Sequence, residues 1–324
     1  MGIQVALNHR TQYRYDKAVS VGPQVIRLRP APHCRTPILG YSLSVTPSGH
    51  LLNWQFDLHN NHLARLLFPD KTSEFIVEVG LVAELSPFNP FDFFLEPGVE
   101  DYPFEYSPEL AKDLEPYRWI DPSVDSAGPL LQAFLGKLSR EKRGTISFLV
   151  DLNRRVRDQI EYVTRLDPGV QTCQQTLEKG TGSCRDSAWL LVQILRHLGI
   201  AARFVSGYLI QLAADESASD AANGPQSDSA DFHAWAEAFL PGAGWIGLDP
   251  TSGLFAGEGH IPLVCTPNAS KAAPIEGTVE LADVDFSYSM SIRRLNDALR
   301  PSQPFTEQDW MQVEQLAHGV DADL

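Results

Sequence analysis

The sequence predicts an α+β protein, and three observations predict it. Short alternating segments fill roughly the first 84 residues, two amphipathic helical stretches follow, and a pair of alternating strands lies beyond them. In the first part the alternation is carried by Ile3-Val5-Leu7, Tyr41-Leu43-Val45 and Phe75-Val77-Val79, separated by Pro, Gly, Asn and His clusters. A period of two with frequent turns specifies an antiparallel sheet or sandwich.

Between Ser86 and Pro129 prolines recur every few residues among aromatics, as in Pro87-Phe88-Asn89-Pro90-Phe91, so this stretch reads as an extended connector. The chain divides there into a β-rich unit over 1–115 with a connector to about 129, a second unit over 130–296, and a tail over 297–324. A helix is expected from about Ile146 to Ile160, with Phe148, Leu149, Leu152 and Val156 on one face. A second, buried all round, is expected from Ser183 to Leu198 between Gly182 and Gly199. Ala202 to Ile210 reads as a strand. Ala213 to Asp231, rich in Ala, Ser, Asp and Gly, reads as a mobile insertion or a lid leading into His233. Strands over Phe232–Leu240 and Trp245–Pro250 form a hairpin around Pro241-Gly242-Ala243-Gly244, a further alternating strand follows through Phe286, Tyr288, Met290 and Ile292, and a short helix is expected after Thr306.

Composition narrows the function. A formal charge of −15 disfavours binding to a phosphate backbone, so nucleic acid is not an expected partner. No apolar run approaches the ~18 residues of a membrane span. Four scattered cysteines without paired spacing are expected as reduced thiols. Met1 to Arg14 alternates where a secretory signal would run apolar, and the expected compartment is cytoplasmic. No cofactor or metal is expected: His59 and His62 flank two asparagines in a polar turn, and a zinc site on Cys184 and His233 would need further ligands.

Chemistry points to Cys184. Ser183 reads as an N-cap with Asp186 three residues on, which makes Cys184 the first residue of a buried helix. Unsatisfied amides and the positive helix end favour a thiolate, the nucleophilic form of cysteine. The structural alternative is a small buried hydrophobe heading a packed helix. His233 shares one strand face with Trp235, Glu237 and Phe239, and Asp249 closes the partner strand. A hairpin pairing Leu240 with Trp245 would put Asp249 on the wrong face. Pairing Phe239 with Trp245 brings Asp249 opposite Trp235 and diagonal to His233, so the register predicts an odd loop or a bulge. Trp189, Trp235 and Trp245 read as core more than as substrate platform, and Cys173 as structural.

Four blocks carry a family resemblance. Gly180-Thr181-Gly182-Ser183-Cys184-Arg185-Asp186, the run from Leu198 to Tyr208, His233-Ala234-Trp235, and Gly244 to Thr251 together resemble the core of the bacterial transglutaminase-like superfamily over about 147–252. The first hundred residues resemble the β-rich domain that precedes it in bacterial members. The resemblance implies a papain-like α+β core, a helix packed on an antiparallel sheet, preceded by a β-sandwich-like N-terminal domain. It also implies Cys184 as nucleophile, His233 as general base and acid, and Asp249 as the group orienting His233. Ser183, Asp186 and Trp235 are secondary candidates for shaping the site or its oxyanion hole.

Arg185 stands where animal transglutaminases usually carry an aromatic, a departure from the glutamine–lysine cross-linking pattern. Related enzymes hydrolyse peptides or other amides through the same thioester, so the expected partner is a peptide or protein with an amide or isopeptide bond. The resemblance extends to longer proteins in which such a core precedes an amidoligase-like domain, and the acidic end at Val320 to Leu324 would suit a piece of one. The competing expectation is a catalytically idle papain-like module for peptide binding or scaffolding.

Overall fold

The computed structural model describes residues 2–120, 128–213 and 227–295. Most of the acidic loop and the helix expected after Thr306 lie outside the described residues.

The first unit is built on β1 (Ile3–Val19), β2 (Val21–Ile26), β3 (Ile38–Thr46), β4 (Leu51–Phe56), β5 (His62–Leu67) and β6 (Thr72–Leu85). Alternation sets the inward face: Val5 and Leu7 of β1 and Val77, Val79 and Leu81 of β6 are buried, as are Ile26, Ala64 and Leu66 from the other sheet. All belong to one apolar core. Two late strands complete both layers. β16 (Ile275–Val279) and β17 (Val284–Arg294) give four-stranded sheets of order β16-β2-β5-β4 and β17-β1-β6-β3. The stretch 275–294, expected within the second unit, is therefore hydrogen-bonded into the first, with Leu7 paired to Ile292 on one side and Leu81 on the other. Pairings across nearly 300 residues leave no local pattern to read.

The connector is not uniformly extended, which corrects the sequence expectation. After β7 (Asp101–Tyr102) it folds into α1 (Pro108–Asp113) and α2 (Glu115–Arg118). Ser107 caps α1 by accepting the Leu110 N–H, and Pro108 stands in the first turn, where its missing N–H costs nothing. α3 (Pro129–Gly136) starts on a proline in the same way. Prolines thus open these helices in a stretch whose proline content predicts extended chain.

In the second unit, β8 (Arg143–Gly144) pairs with β7 and leads into α4 (Thr145–Gln159), which buries Phe148, Leu149, Leu152 and Val156 on the expected face. β9 (Glu161–Tyr162) pairs in parallel with β10 (Thr181–Gly182), with α5 (Cys173–Lys179) between them. Then comes α6 (Cys184–His197), buried on almost every side. It packs on a five-stranded antiparallel sheet of order β14-β13-β12-β11-β15. Its strands are β11 (Ala202–Gln211), β12 (Ser229–Leu240), β13 (Gly244–Asp249), β14 (Leu254–Phe255) and β15 (His260–Thr266). Ala234, Ala236 and Ala238 join the core that contains α6, and their small side chains let the helix approach the strand. This is the helix-on-antiparallel-sheet core that the family resemblance implies.

Buried polar contacts tie the two units. Asn61 donates to the Cys265 carbonyl at 2.9 Å and accepts its N–H at 2.8 Å, which pairs backbone groups that water cannot reach. The polar-turn reading of His59 and His62 becomes concrete here, since Asp57 accepts from the backbone of His59 and Asn61. On the other side of the junction His9 Nδ1 lies 2.9 Å from the Tyr208 hydroxyl. Burial pulls His9 down to about 4, so it is a neutral structural imidazole.

Candidate active site

Local backbone geometry sets Cys184 at the head of α6. Gly180 ends α5 in the left-handed region at φ 63°, and Thr181–Gly182 then runs beside Glu161–Tyr162. At Gly182 a Cβ would lie 3.0 Å from Asp186, so a larger residue would crowd the helix start. Asp186 is wholly buried and accepts from the Ser183 N–H at 2.9 Å and the Ser183 hydroxyl at 2.7 Å. It also accepts the Gln171 N–H at 2.6 Å and two bonds from Arg165, both 3.0 Å. Burial alone would raise its pKa, but Arg165 and these donors hold the carboxyl well below the usual range. Asp186 and Ser183 therefore spend their polar atoms fixing the helix start and the 165–171 loop.

The hairpin has the register that the parity argument requires. Phe239 pairs with Trp245 and Leu240 with Gly244, which leaves a three-residue turn and extends Asp249 to the face of His233. His233 Nε2 lies 3.2 Å from Asp249 Oδ2. Cys184 also acts on this imidazole, through its side chain and its charge, from the head of α6. Cys184, His233 and Asp249 are all buried, so the interactions among them are sheltered from water. Burial pulls the His233 imidazolium down, but its bonds to Asp249 and Cys184 and their charges outweigh this and push it up to about 10. Asp249 moves the opposite way: burial would raise it, and His233 and His260 hold it well below the carboxylate range.

Trp235 is buried beside this group. Its ring lies nearly parallel to His233 at 6.3 Å and edge-on to His260 at 5.1 Å, and it packs on Val205 and Cys265. It is a wall of the site more than a substrate platform. Trp245 also has a structural partner, the Arg203 guanidinium 4.2 Å above its ring.

One residue at this site escaped the sequence reading. His260 opens β15 and sets its Nε2 3.4 Å from Asp249 Oδ2. The segment around it, Gly257-Glu258-Gly259-His260-Ile261-Pro262, shows no alternation and contains a proline, so nothing local marks a strand or a site.

Among the described residues, two groups have donor atoms close enough to hold a metal, His233 with Asp249 and His260, and His33 with Glu237 and Cys265. In the first, both imidazole Nε2 atoms stand at hydrogen-bond distance from one carboxylate oxygen, an arrangement that protons satisfy. The second already contains a cation: Arg203 bonds Glu237 at 2.6 Å and approaches His33 Nε2 at 3.1 Å. Neither set needs a metal to balance it.

Comparison with known proteins agrees with this picture. Residues 5–84 match the bacterial transglutaminase-like N-terminal region, and residues 132–250 match the transglutaminase-like superfamily. Uncharacterized proteins of Mycobacterium tuberculosis and Mycobacterium bovis are each 25% identical over 292 residues, covering 84% of this chain and 86% of theirs. A solved structure from Cytophaga hutchinsonii, assigned provisionally as a cysteine protease, superposes with a TM-score of 0.65 at 19% identity, over 94% of this chain and 93% of that one. The chain belongs to the transglutaminase-like superfamily, with a bacterial transglutaminase-like N-terminal region leading into a papain-like core.

Proposed function

We propose that this protein is a cysteine-nucleophile enzyme acting on amide bonds of a peptide or protein. The observation that carries the reading is a single buried imidazole that lies 3.2 Å from the Asp249 carboxylate and that Cys184 also acts on. Cys184 Sγ attacks the amide carbonyl carbon as a thiolate. The tetrahedral oxyanion collects beside the amides at the N-terminus of α6, the Cys184 N–H among them. His233 gives its Nδ1 proton to the leaving amine as the C–N bond breaks, and a thioester remains on Cys184. Water or a second amine then attacks the thioester, with His233 taking its proton, and the C–S bond breaks to release the Cys184 thiolate beside the imidazolium. Asp249 orients the ring and stabilises the imidazolium at each stage in which His233 carries the extra proton.

The test needs no known substrate. Iodoacetamide at pH 7 should modify Cys184 ahead of Cys34, which burial pushes up to about 11, and ahead of fully buried Cys265. His233→Ala should slow that modification about 100-fold, and incubation with peptide and isopeptide libraries should leave acyl adducts on Cys184 visible by mass spectrometry. Equal alkylation of wild type and His233→Ala, with no adduct, would refute the reading and leave the idle module.

A further inference from the structure

Asp249 collects more donors than the orientation of one imidazole requires. Oδ1 accepts from the Thr251 N–H at 2.9 Å and the Thr251 hydroxyl at 2.7 Å. Oδ2 accepts from Ser252 Oγ at 3.0 Å, from His233 at 3.2 Å and from His260 at 3.4 Å. Thr251 and Ser252 belong to the turn that carries Asp249, so they move with it. His260 does not: it stands on β15, at the edge of the sheet beyond β11 and β12.

The bonds of His260 also fix its tautomer. Its Nδ1 faces the backbone N–H of Gly257 at 3.2 Å and must accept there, which leaves the ring proton on Nε2, aimed at Asp249. The ring is mostly buried, edge-on to Trp235 and 5.8 Å from His233 between centroids. Two histidines thus share one carboxylate oxygen, and Cys184 acts on His233.

We propose that His260 is a positioning residue of this site, an Nε2–H donor from a separate strand that holds Asp249 Oδ2 against His233. The inference rests on the enzymatic reading above and assigns that site a fourth side chain. Without the His260 donor, every anchor of the carboxylate other than His233 itself comes from its own turn, and nothing outside that turn holds it against the imidazole it must face.

The experiment separates a donor from a packing group. In His260→Gln the amide nitrogen can reach the Nε2 position and donate, whereas His260→Phe keeps an aromatic ring against Trp235 and donates nothing. Cys184 alkylation by iodoacetamide at pH 7 should fall about 10-fold in His260→Phe and stay within about threefold of wild type in His260→Gln. The reverse order, or a Phe variant as reactive as wild type, would overturn the proposal. Nitrogen-15 NMR of the wild-type histidines supplies a readout that survives unfolding of any variant: the Nε2–H pattern is expected for His260, and an Nδ1–H pattern would overturn the assignment. His233→Ala is the control. If it leaves alkylation unchanged, the enzymatic reading fails; if it slows alkylation while His260→Phe does not, only the role of His260 fails.

Discussion

Phe239 pairs with Trp245 across the β12–β13 hairpin, and that register decides which face of the sheet Asp249 occupies. Strand side chains alternate with a period of two, so one inserted residue in the Pro241–Ala243 turn exchanges the faces of the following strand. A single insertion should therefore reduce Cys184 alkylation to the level of Asp249→Ala. A second inserted residue restores the parity and should recover part of the rate. Equal rates in the one-residue and two-residue variants would show that the register does not deliver Asp249 to His233.

Arg165 holds Asp186 through two bonds while Asp186 is closed to solvent. Removing the cation strands a buried carboxylate, so Arg165→Ala should lose about 3–5 kcal/mol by urea unfolding at neutral pH. The pH dependence has a definite sign. Asp186 lies below its ordinary value in the folded state, so its contribution is complete above about pH 4 and is lost as pH falls. The wild type should lose its advantage over Arg165→Ala progressively in acid, and a constant difference from pH 7 to pH 3 would contradict the ion-pair account.

These two relationships differ in how readily a sequence discloses them. The placement of the candidate site was legible because its parts are local. Ser183, Cys184 and Asp186 mark one helix start, and turn length plus parity bring Asp249 to His233 within one hairpin. The return of 275–294 to the first sheets was not legible, because a strand's alternation records its period and not its partner. His260 was hidden for a related reason: its importance comes from reaching across the sheet to Asp249. In the connector, Pro108, Pro116 and Pro129 had two physical readings, breaker or first-turn residue, and only the caps decide between them.

His233 gives the alkaline counterpart to Asp186. Its folded value is pushed up to about 10 from an ordinary 6.5, so its contribution to stability is complete below about pH 6.5 and disappears as pH rises through about 10. Asp249, held low by the same contact, loses its contribution on the acid side. Urea midpoints of the wild type should fall between pH 7 and 10 more steeply than those of His233→Gln. Parallel curves over that range would mean that no imidazolium is stabilised there.

Gly207 links stability to the site. It pairs with His233 on β12 and with Pro262 on β15, next to an irregularity in the β11–β15 register. A Cβ there would fall 2.2 Å from the Ile261 carbonyl oxygen and 2.7 Å from the Trp235 ring. Backbone cannot yield as a flexible side chain can, so Gly207→Ala must displace β15, which carries His260, or Trp235, which walls His233. Overpacking of this kind costs about 1–3 kcal/mol, and the displacement should also slow Cys184 alkylation. Gly199→Ala is the matched comparison. It too is strained, at φ 86°, but no atom within 4 Å would meet its Cβ, and it lies at the far end of α6 from Cys184. It should lose about 1 kcal/mol and keep the wild-type alkylation rate. If both variants lost stability and neither lost reactivity, the close contact of β11, β15 and Trp235 would be packing alone and would not hold the site in place.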